Sequence, residues 1–414
     1  MSNRKLLAGV KVIELANFMA AATAGRFLAD QGADVIKIEA AKGDPLRYTA
    51  PSEGRPLDMY ENTTWELENA NKRCISLNTK DPAGKEALFK LLEGADVLIT
   101  NWRPQALEKN GLDYETLKKR FPKLVYAMCT GYGEYGPDKD LPGFDFVCFF
   151  ARGGYFETLR ERDDKPFHAA PAVGDHNVGM NLAAGILAAL YHAKQTGEGE
   201  KVECSLFESA IFNMGTTIQA AQYRGIGVDF PYAAREADNP MNSAFPTKDG
   251  RYMQMVFPNY DVYWKQFITA MGRPDLADDE NFYPIKNVQA KGNGPLVYDT
   301  VTELFKQKTA DEWKPILTQA DVPFSKCQNR EEILEDEQAW ANECFYKMTF
   351  PNGNERVVVR QPVKFQEAGV PEYNRAPMIG EQGAEVLKEI GYTDEQVKAM
   401  LDSGALYVWS DEKK

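Results

Sequence analysis

Over the first 135 residues, short apolar runs alternate with stretches of helical spacing. Val10–Leu15 (VKVIEL) predicts a strand, and Ala20–Gln31 a helix that stops at Gly32. Asp34–Glu39 (DVIKIE) predicts a second strand. Gly84–Glu93 predicts a helix leading into strand Val97–Thr100, and Asp113–Arg120 a helix leading into strand Leu124–Thr130. Strands alternating with helices imply a parallel sheet covered on both faces. Such sheets take ligands at the carboxyl ends of their strands.

After Asp175 the stretch NVGMNLAAGILAALYHAKQ predicts a long helix, whose alanines and glycines suit close helix packing. TGEGE ends it, and KVECSL predicts a strand. Residues 224–242 are rich in Gly, Pro and charge and read as a linker. A turn and strand (KDGRYMQMVF) and an amphipathic helix (YDVYWKQFITAMG) then mark a different texture. The stretch FPNGNERVVVRQPV predicts a hairpin, and EQGAEVLKEIG another helix. The expected division is 1–225 for the main α/β part, 226–325 for a small α+β domain with its linkers, and 326–414 for the C-terminal part.

The 414 residues carry 48 Lys plus Arg against 61 Asp plus Glu, a net charge of −13. With 43% hydrophobic and 26% charged residues, the chain is expected to fold as two or three domains at about 150 residues each. The acidic balance argues against a nucleic-acid partner but leaves room for a local basic pocket. No signal peptide and no apolar run of membrane-spanning length is read, so a cytoplasmic protein without a membrane partner is expected. Six scattered cysteines (Cys74, Cys129, Cys148, Cys204, Cys327, Cys344) form no CxxC pair, which fits a reducing compartment. Three histidines (His168, His176, His192) form no HExxH motif, so no metal site is expected.

Gly131-Tyr132-Gly133-Glu134-Tyr135-Gly136 formally matches GxGxxG after a strand. Pro137 and DKDLPG follow rather than a helix, so it reads as a tight glycine turn bordering a ligand, not a dinucleotide fingerprint. Asp175 follows Gly174 just before the long helix, and the bland reading is an N-cap. The functional one is a carboxylate held as the anion by the helix N-terminus, ready for nucleophilic attack, with Gly174 allowing close approach of substrate. Lys80, Arg103 and Lys109 stand near strand ends, as solvated charges or as phosphate clamps. Asn101-Trp102 follow strand VLIT, where an indole can face a purine or close a core edge. No GxSxG occurs, and Cys204 reads as buried and inert.

Taken together, GVKVIELANF, ADQGADVIKIE, NANKRCISLNTKDPAGKE, ADVLITNWRPQALEKNGLDYETL, LVYAMCTGYGEYGP, PGFDFV, VGDHNVGMNLAAGILAALYHAKQTGEGEKVECSL and APMIGEQGAEVLKEIGY resemble the class III CoA-transferases over nearly the whole chain. The stretches GDPLRYTAPSEGRPL, ENTTWELENANKR and ILEDEQAWANECFYKM are most similar to the 2-hydroxyacyl branch of amino-acid-fermenting anaerobes. The resemblance implies a Rossmann-like large domain built from both chain ends, a small α+β domain, and two chains interlocked as linked rings in a homodimer. It implies a nucleophilic carboxylate at Asp175. It implies CoA contacts at Leu77, Lys80, Asn101, Trp102, Arg103 and Lys109, and Asp145 near the thioester. Two departures stand out. Asn239–Phe245 (NPMNSAF) holds no glycine where some relatives have a glycine loop, and position 19 is Met where some place a glutamine.

The implied reaction moves CoA reversibly from an acyl-CoA, such as a 2-enoyl-CoA, to a free 2-hydroxy acid such as (R)-2-hydroxyisocaproate or phenyllactate. It runs through an Asp175 acyl anhydride and an aspartyl-CoA thioester. CoA thioesters are then substrates, with no permanently bound cofactor, and a 2-hydroxyacyl-CoA dehydratase is the expected pathway partner. Three rivals are an α-methylacyl-CoA racemase-type isomerase on the same fold, a non-catalytic acyl-CoA-binding subunit and a dinucleotide oxidoreductase. The racemase needs a second acid/base, and Phe144 stands where racemases resembling this chain carry His.

Overall fold

The computed structural model of the chain describes residues 5–223 and 230–410. Of the stretch read as a linker, 224–229 lie outside the described residues, and so do residues 1–4 of the N-terminus. The rest divides into two units. The first comprises Met1–Tyr155, Ala169–Thr216 and Gln338–Lys414, the second Phe156–His168 and Thr217–Glu337.

The first unit is a mixed α/β body around a parallel-dominated sheet. Its strands are β1 (Lys11–Leu15), β2 (Asp34–Glu39), β3 (Arg73–Leu77), β4 (Val97–Thr100), β5 (Val125–Thr130) and β6 (Lys201–Ser205), all parallel to their neighbours. A short strand near the C-terminus, Leu406–Tyr407, joins antiparallel beside β3, giving the order Leu406–Tyr407, β3, β2, β1, β4, β5, β6. Strand β3 went unread in the sequence because Arg73 and Ser76 interrupt the apolar run of RCISL. Between β2 and the C-terminal strand, all but Arg73 are nonetheless buried.

Period-two alternation sorts the side chains onto two faces. Ile13, Leu15, Ile36, Ile38, Ile75, Leu98, Tyr126 and Met128 pack against helices α3 (Pro82–Glu93), α4 (Pro104–Asn110) and α5 (Tyr114–Arg120) and the C-terminal helices Gly383–Glu389 and Asp394–Ser403. Helix α1 (Ala20–Asp30) covers the other face, with the long helix Val173–Thr196 crossing it. That crossing needs glycine, because a Cβ on Gly179 would stand 2.5 Å from Thr23 Cβ and 2.6 Å from the Ala20 carbonyl oxygen.

On the α1 side the sheet carries charge. Lys37 Nζ is 2.9 Å from Glu14 Oε1, 2.9 Å from Asp44 Oδ2 and 2.9 Å from the Ala16 carbonyl. Lys72 Nζ takes Glu14 Oε2 at 2.8 Å, and Arg47 forms a two-pronged pair with Glu39 at 3.0 and 2.8 Å. All six side chains are buried. Helix α2 (Thr63–Asn69) closes this region, with Trp65 under the Arg47 guanidinium at 3.6 Å.

The second unit holds a three-stranded antiparallel sheet, Ala244–Pro246, Tyr252–Met255 and Phe324–Lys326, around an aromatic core of Phe245, Trp264, Phe267, Phe305 and Trp313. The glycine-free stretch 239–245 runs into its first strand, with Met241 and Phe245 fully buried. Back in the first unit, Phe345–Thr349 and Glu355–Val359 form the hairpin read from the sequence. Among the described residues no helix is long and apolar enough to cross a membrane.

The Lys37→Met substitution would strand Asp44 as a buried unpaired charge and leave Glu14 to Lys72 alone. It is expected to cost about 3–5 kcal/mol in chemical denaturation. Lys347→Met, which breaks an exposed cross-strand pair with Glu355, should leave the midpoint where it is.

Candidate active site

Strand β1 lies between β2 and β4, so the winding of the sheet reverses there. Loops leaving the carboxyl ends of β1 and β4 part at such a point and open a crevice. The crevice holds a cavity of about 440 Å³. Asn17–Ala20 line it from the end of β1, Asn101–Gln105 from the end of β4, and Met128–Gly131 from β5. Residues 139–146, the start of the long helix and Leu206 complete the wall.

Each loop is held by specific bonds. Asn101 donates from Nδ2 to the Asn17 carbonyl at 2.7 Å and accepts from the Asn17 N–H at Oδ1 at 3.0 Å. Phe18 sits at φ 59°, costly for a side chain without local compensation, and its N–H is taken by Asp44 Oδ1 at 3.0 Å. Its ring meets Phe144 edge-on at 5.6 Å. Thus Asp44 couples the buried Lys37 to the cavity wall.

Asp175 lines the cavity from the first turn of the long helix. It is not the N-cap. The helix starts at Val173, and the cap position is Ala172, at φ 70°, whose methyl offers no acceptor. Asp145 supplies the cap instead, since its Oδ1 accepts the Gly174 N–H at 3.1 Å. The Gly174 Cα leaves the space that Asp145 and Phe149 fill, so its lack of a Cβ admits protein rather than substrate, and its amide is already taken. Relieved of capping, the Asp175 carboxylate accepts no hydrogen bond among the described residues.

Its electrostatics differ from the expectation drawn from the helix N-terminus. Burial, then the charges of Asp145 and Glu68, push the Asp175 carboxyl from 3.8 up to about 7, with His176 pulling the other way. A first-turn dipole is worth less than removal of a carboxylate from water beside two others. Burial likewise lifts Asp145 to about 6, against the pull of the Gly174 and Ala172 amides. Burial also raises the neighbouring Cys129 thiol, so it is not a thiolate near neutrality. Cys204 is half-buried rather than buried, with its thiol pushed up to about 11 by burial.

Of the residues singled out in the sequence, Asp175, Asp145, Asn101, Trp102 and Arg103 meet around this cavity. Trp102 does so while packed on the sheet core. Leu77 is a core side chain at the end of β3, and Lys80 and Lys109 are exposed on the following turn and on the last turn of α4. None of these three is in the lining. Among the described residues Arg103, Lys80 and Lys109 form no ion pair. Met19 lines the cavity and packs on Leu46 and Trp65.

Sequence reasoning missed Phe18, Lys139 and the pair formed by Glu68 and His176. Glu68 did carry a signal. It lies three residues after Trp65 in α2, on the face the indole buries, where a carboxylate needs a partner.

Residues 7–383 match the profile of CoA-transferase family III. The chain belongs to that family. It is 54% identical over 399 residues, 96% of this chain and 97% of the other, to cinnamoyl-CoA:phenyllactate CoA-transferase of Clostridium sporogenes. It is 42% identical to (R)-2-hydroxy-4-methylpentanoate CoA-transferase of Clostridioides difficile, over 96% of this chain and 98% of that one. Among solved structures, a CAIB/BAIF family protein from Brucella suis superposes with a TM-score of 0.80 at 28% identity, covering 93% of this chain and 99% of that chain. The family III assignment makes this an enzyme that handles CoA thioesters.

Because the folded chain binds the Asp175 proton more tightly than the unfolded chain, stability from this group is present at low pH. It is lost as pH rises from 3.8 through about 7. Asp175→Asn is therefore expected to melt higher than the parent at pH 8, by roughly 2 °C, and level with it at about pH 4. Calorimetry at the two pH values checks this.

Proposed function

We propose that this family III CoA-transferase moves CoA from an acyl-CoA to a free 2-hydroxy carboxylic acid, with Asp175 as the nucleophile. The observation that carries the assignment is the Asp175 carboxylate itself. It faces the cavity at the switch point of the sheet, spared from capping its own helix by Asp145. The acid acceptor is inferred from the named substrates of the two clostridial relatives.

In the first step an Asp175 carboxylate oxygen attacks the donor thioester carbonyl. The C–S bond breaks, CoA leaves as thiolate, and an acyl-aspartyl anhydride forms. The thiolate attacks the aspartyl carbonyl, the donor acid departs as carboxylate, and an aspartyl-CoA thioester remains. The acceptor carboxylate attacks that carbonyl and releases the thiolate. The thiolate then attacks the acceptor's carbonyl and frees Asp175. No electrons are gained or lost, and the thioester energy is kept as long as water stays out.

A cavity of about 440 Å³ suits an acyl group and its thioester arm rather than all of CoA. The nucleotide then lies outside it, along the carboxyl ends of the strands. Arg103 on the cavity wall and Lys80 and Lys109 outside the lining, none in an ion pair among the described residues, are assigned to its phosphates. Trp102 and the Leu77 backbone are assigned to the adenine, and Asn101 keeps the β1 loop in place. Asp145, a carboxyl raised to about 6 at the helix start, is assigned to the thioester end. A 2-hydroxyacyl-CoA product is fit for a dehydratase.

The test incubates the enzyme with a 2-enoyl-CoA and a panel of (R)-2-hydroxy acids and reads new thioesters by mass spectrometry. Asp175→Ala is expected to lose at least about 10⁴-fold in turnover while still binding the acyl-CoA. Appreciable turnover in that variant would overturn the assignment. Exchange of an α-proton without CoA transfer would point to isomerase chemistry instead.

The proposal extends to a homodimer. Tyr191, Ile211 and Phe212 stand exposed on the long helix and the helix after it, Leu206–Asn213, and a second copy of the chain is the proposed cover. Light scattering is expected to give twice the 46.5 kDa chain mass.

A further inference from the structure

The nucleophile described above must be an anion to act, yet its surroundings are acidic. Asp145, just before the π-helical segment Phe146–Arg152, lines the same cavity, and the charge of Glu68 on α2 reaches Asp175. Cys129 and Cys148 also lie within electrostatic reach, with burial holding both thiols above their ordinary range.

Glu68 has a side chain only 1% exposed. Its Oε2 accepts the Thr23 hydroxyl at 2.8 Å, and its Oε1 lies 2.7 Å from His176 Nε2. Lys72, the lysine that also feels Glu68, is already bound to Glu14 Oε2 at 2.8 Å, the Ala22 carbonyl at 2.8 Å and Asn69 Oδ1 at 3.0 Å. That leaves His176, the residue next to Asp175 in the chain, as the counter-charge seated on Glu68. Burial alone would lower the His176 pKa, but the hydrogen bond and charge of Glu68, with Asp175 and Asp145 behind it, raise it.

We propose that His176 is a positioning residue for Asp175: seated on Glu68, its imidazolium cancels that buried carboxylate, so Asp175 has one acidic neighbour to ionise against instead of two. The inference rests on Asp175 being the nucleophile. His176 is not among the residues that line the cavity. It acts through the charge state of its neighbour, the kind of proton control for which imidazole is suited.

The test follows kcat/KM from about pH 5.5 to 9.5 in the parent, H176Q and the double variant E68Q/H176Q. Glutamine keeps an N–H for Glu68 but carries no charge. In H176Q the acid limb is expected to move up by about one pH unit, a loss of about tenfold on that limb, with near-parent rates at the alkaline end. Removing Glu68 as well should bring the limb back to within about 0.3 unit of the parent. H176K, which restores a cation, should also bring it back, which keeps the test decisive if H176Q is poorly folded. A limb that stays in place in H176Q, or that moves and is not restored by E68Q/H176Q, overturns the proposal. A purely structural role would lower the whole profile without moving the limb. Asp175→Ala measured alongside separates the two ideas, since turnover there would sink the nucleophile assignment whatever the His176 variants do.

Discussion

A lysine ammonium buried between two carboxylates anchors, through Asp44, the Phe18 wall of the candidate cavity. Lys37 holds Glu14 on the neighbouring strand and Asp44 on the turn after its own. Such an arrangement is expensive to desolvate and tolerable only when each charge is matched. Here Lys37, Lys72 and Arg47 answer Glu14, Asp44 and Glu39 within one cluster. The same Asp44 that pairs with the Lys37 ammonium through Oδ2 takes the Phe18 amide with its other oxygen, which fixes an unfavourable backbone angle in the cavity wall. Charge balance under the sheet and loop shape above it are therefore one constraint. An apolar replacement for the cluster could fill the space, but it would offer no acceptor to that amide.

The same economy of charge governs Asp175, the proposed nucleophile. The start of the long helix has no cap from its own sequence, because Ala172 occupies the place. Asp145 reaches in from a distant loop to take the Gly174 amide. That exchange leaves Asp175 facing the cavity with no hydrogen bond among the described residues, and burial beside Asp145 and Glu68 raises its affinity for a proton. A carboxylate so exposed to its neighbours' charge is a stronger base and nucleophile than a capped one. Its ionisation then depends on what sits beside it, which gives the Glu68–His176 contact its place in the chemistry.

Much of the architecture was legible because parallel strands buried on both faces are nearly continuous apolar runs. DVIKIE and VLIT form β2 and β4 over the residues their pattern marks out. Where the pattern broke, the reading failed. Arg73 and Ser76 hid β3, although its place between two strands supplies the partners that polar residues need. The chemistry was legible to a different degree. Asp175 stood out beside a glycine before a long helix, but the local rule that makes such an aspartate a cap pointed to the wrong residue. A cap is defined by which oxygen reaches the amide, and Asp145 is 29 residues away along the chain.

By itself the sequence determined the alternation of strand and helix, the acidic and metal-motif-free character of the chain, and the family to which its motifs belong. These follow from local periodicity and from residue types at fixed spacing, which need no knowledge of contacts. Only the tertiary structure decided that Asp145 caps the long helix, that Phe18 and Phe144 meet across the cavity, and that Leu77 is core while Arg103 lines the site. It also decided that Asp175 takes up its proton near neutrality. Each of these is set by burial and by charges brought together from separate loops. The free energy of an ionised group depends on the dielectric and the partners around it in space, not on its neighbours in sequence.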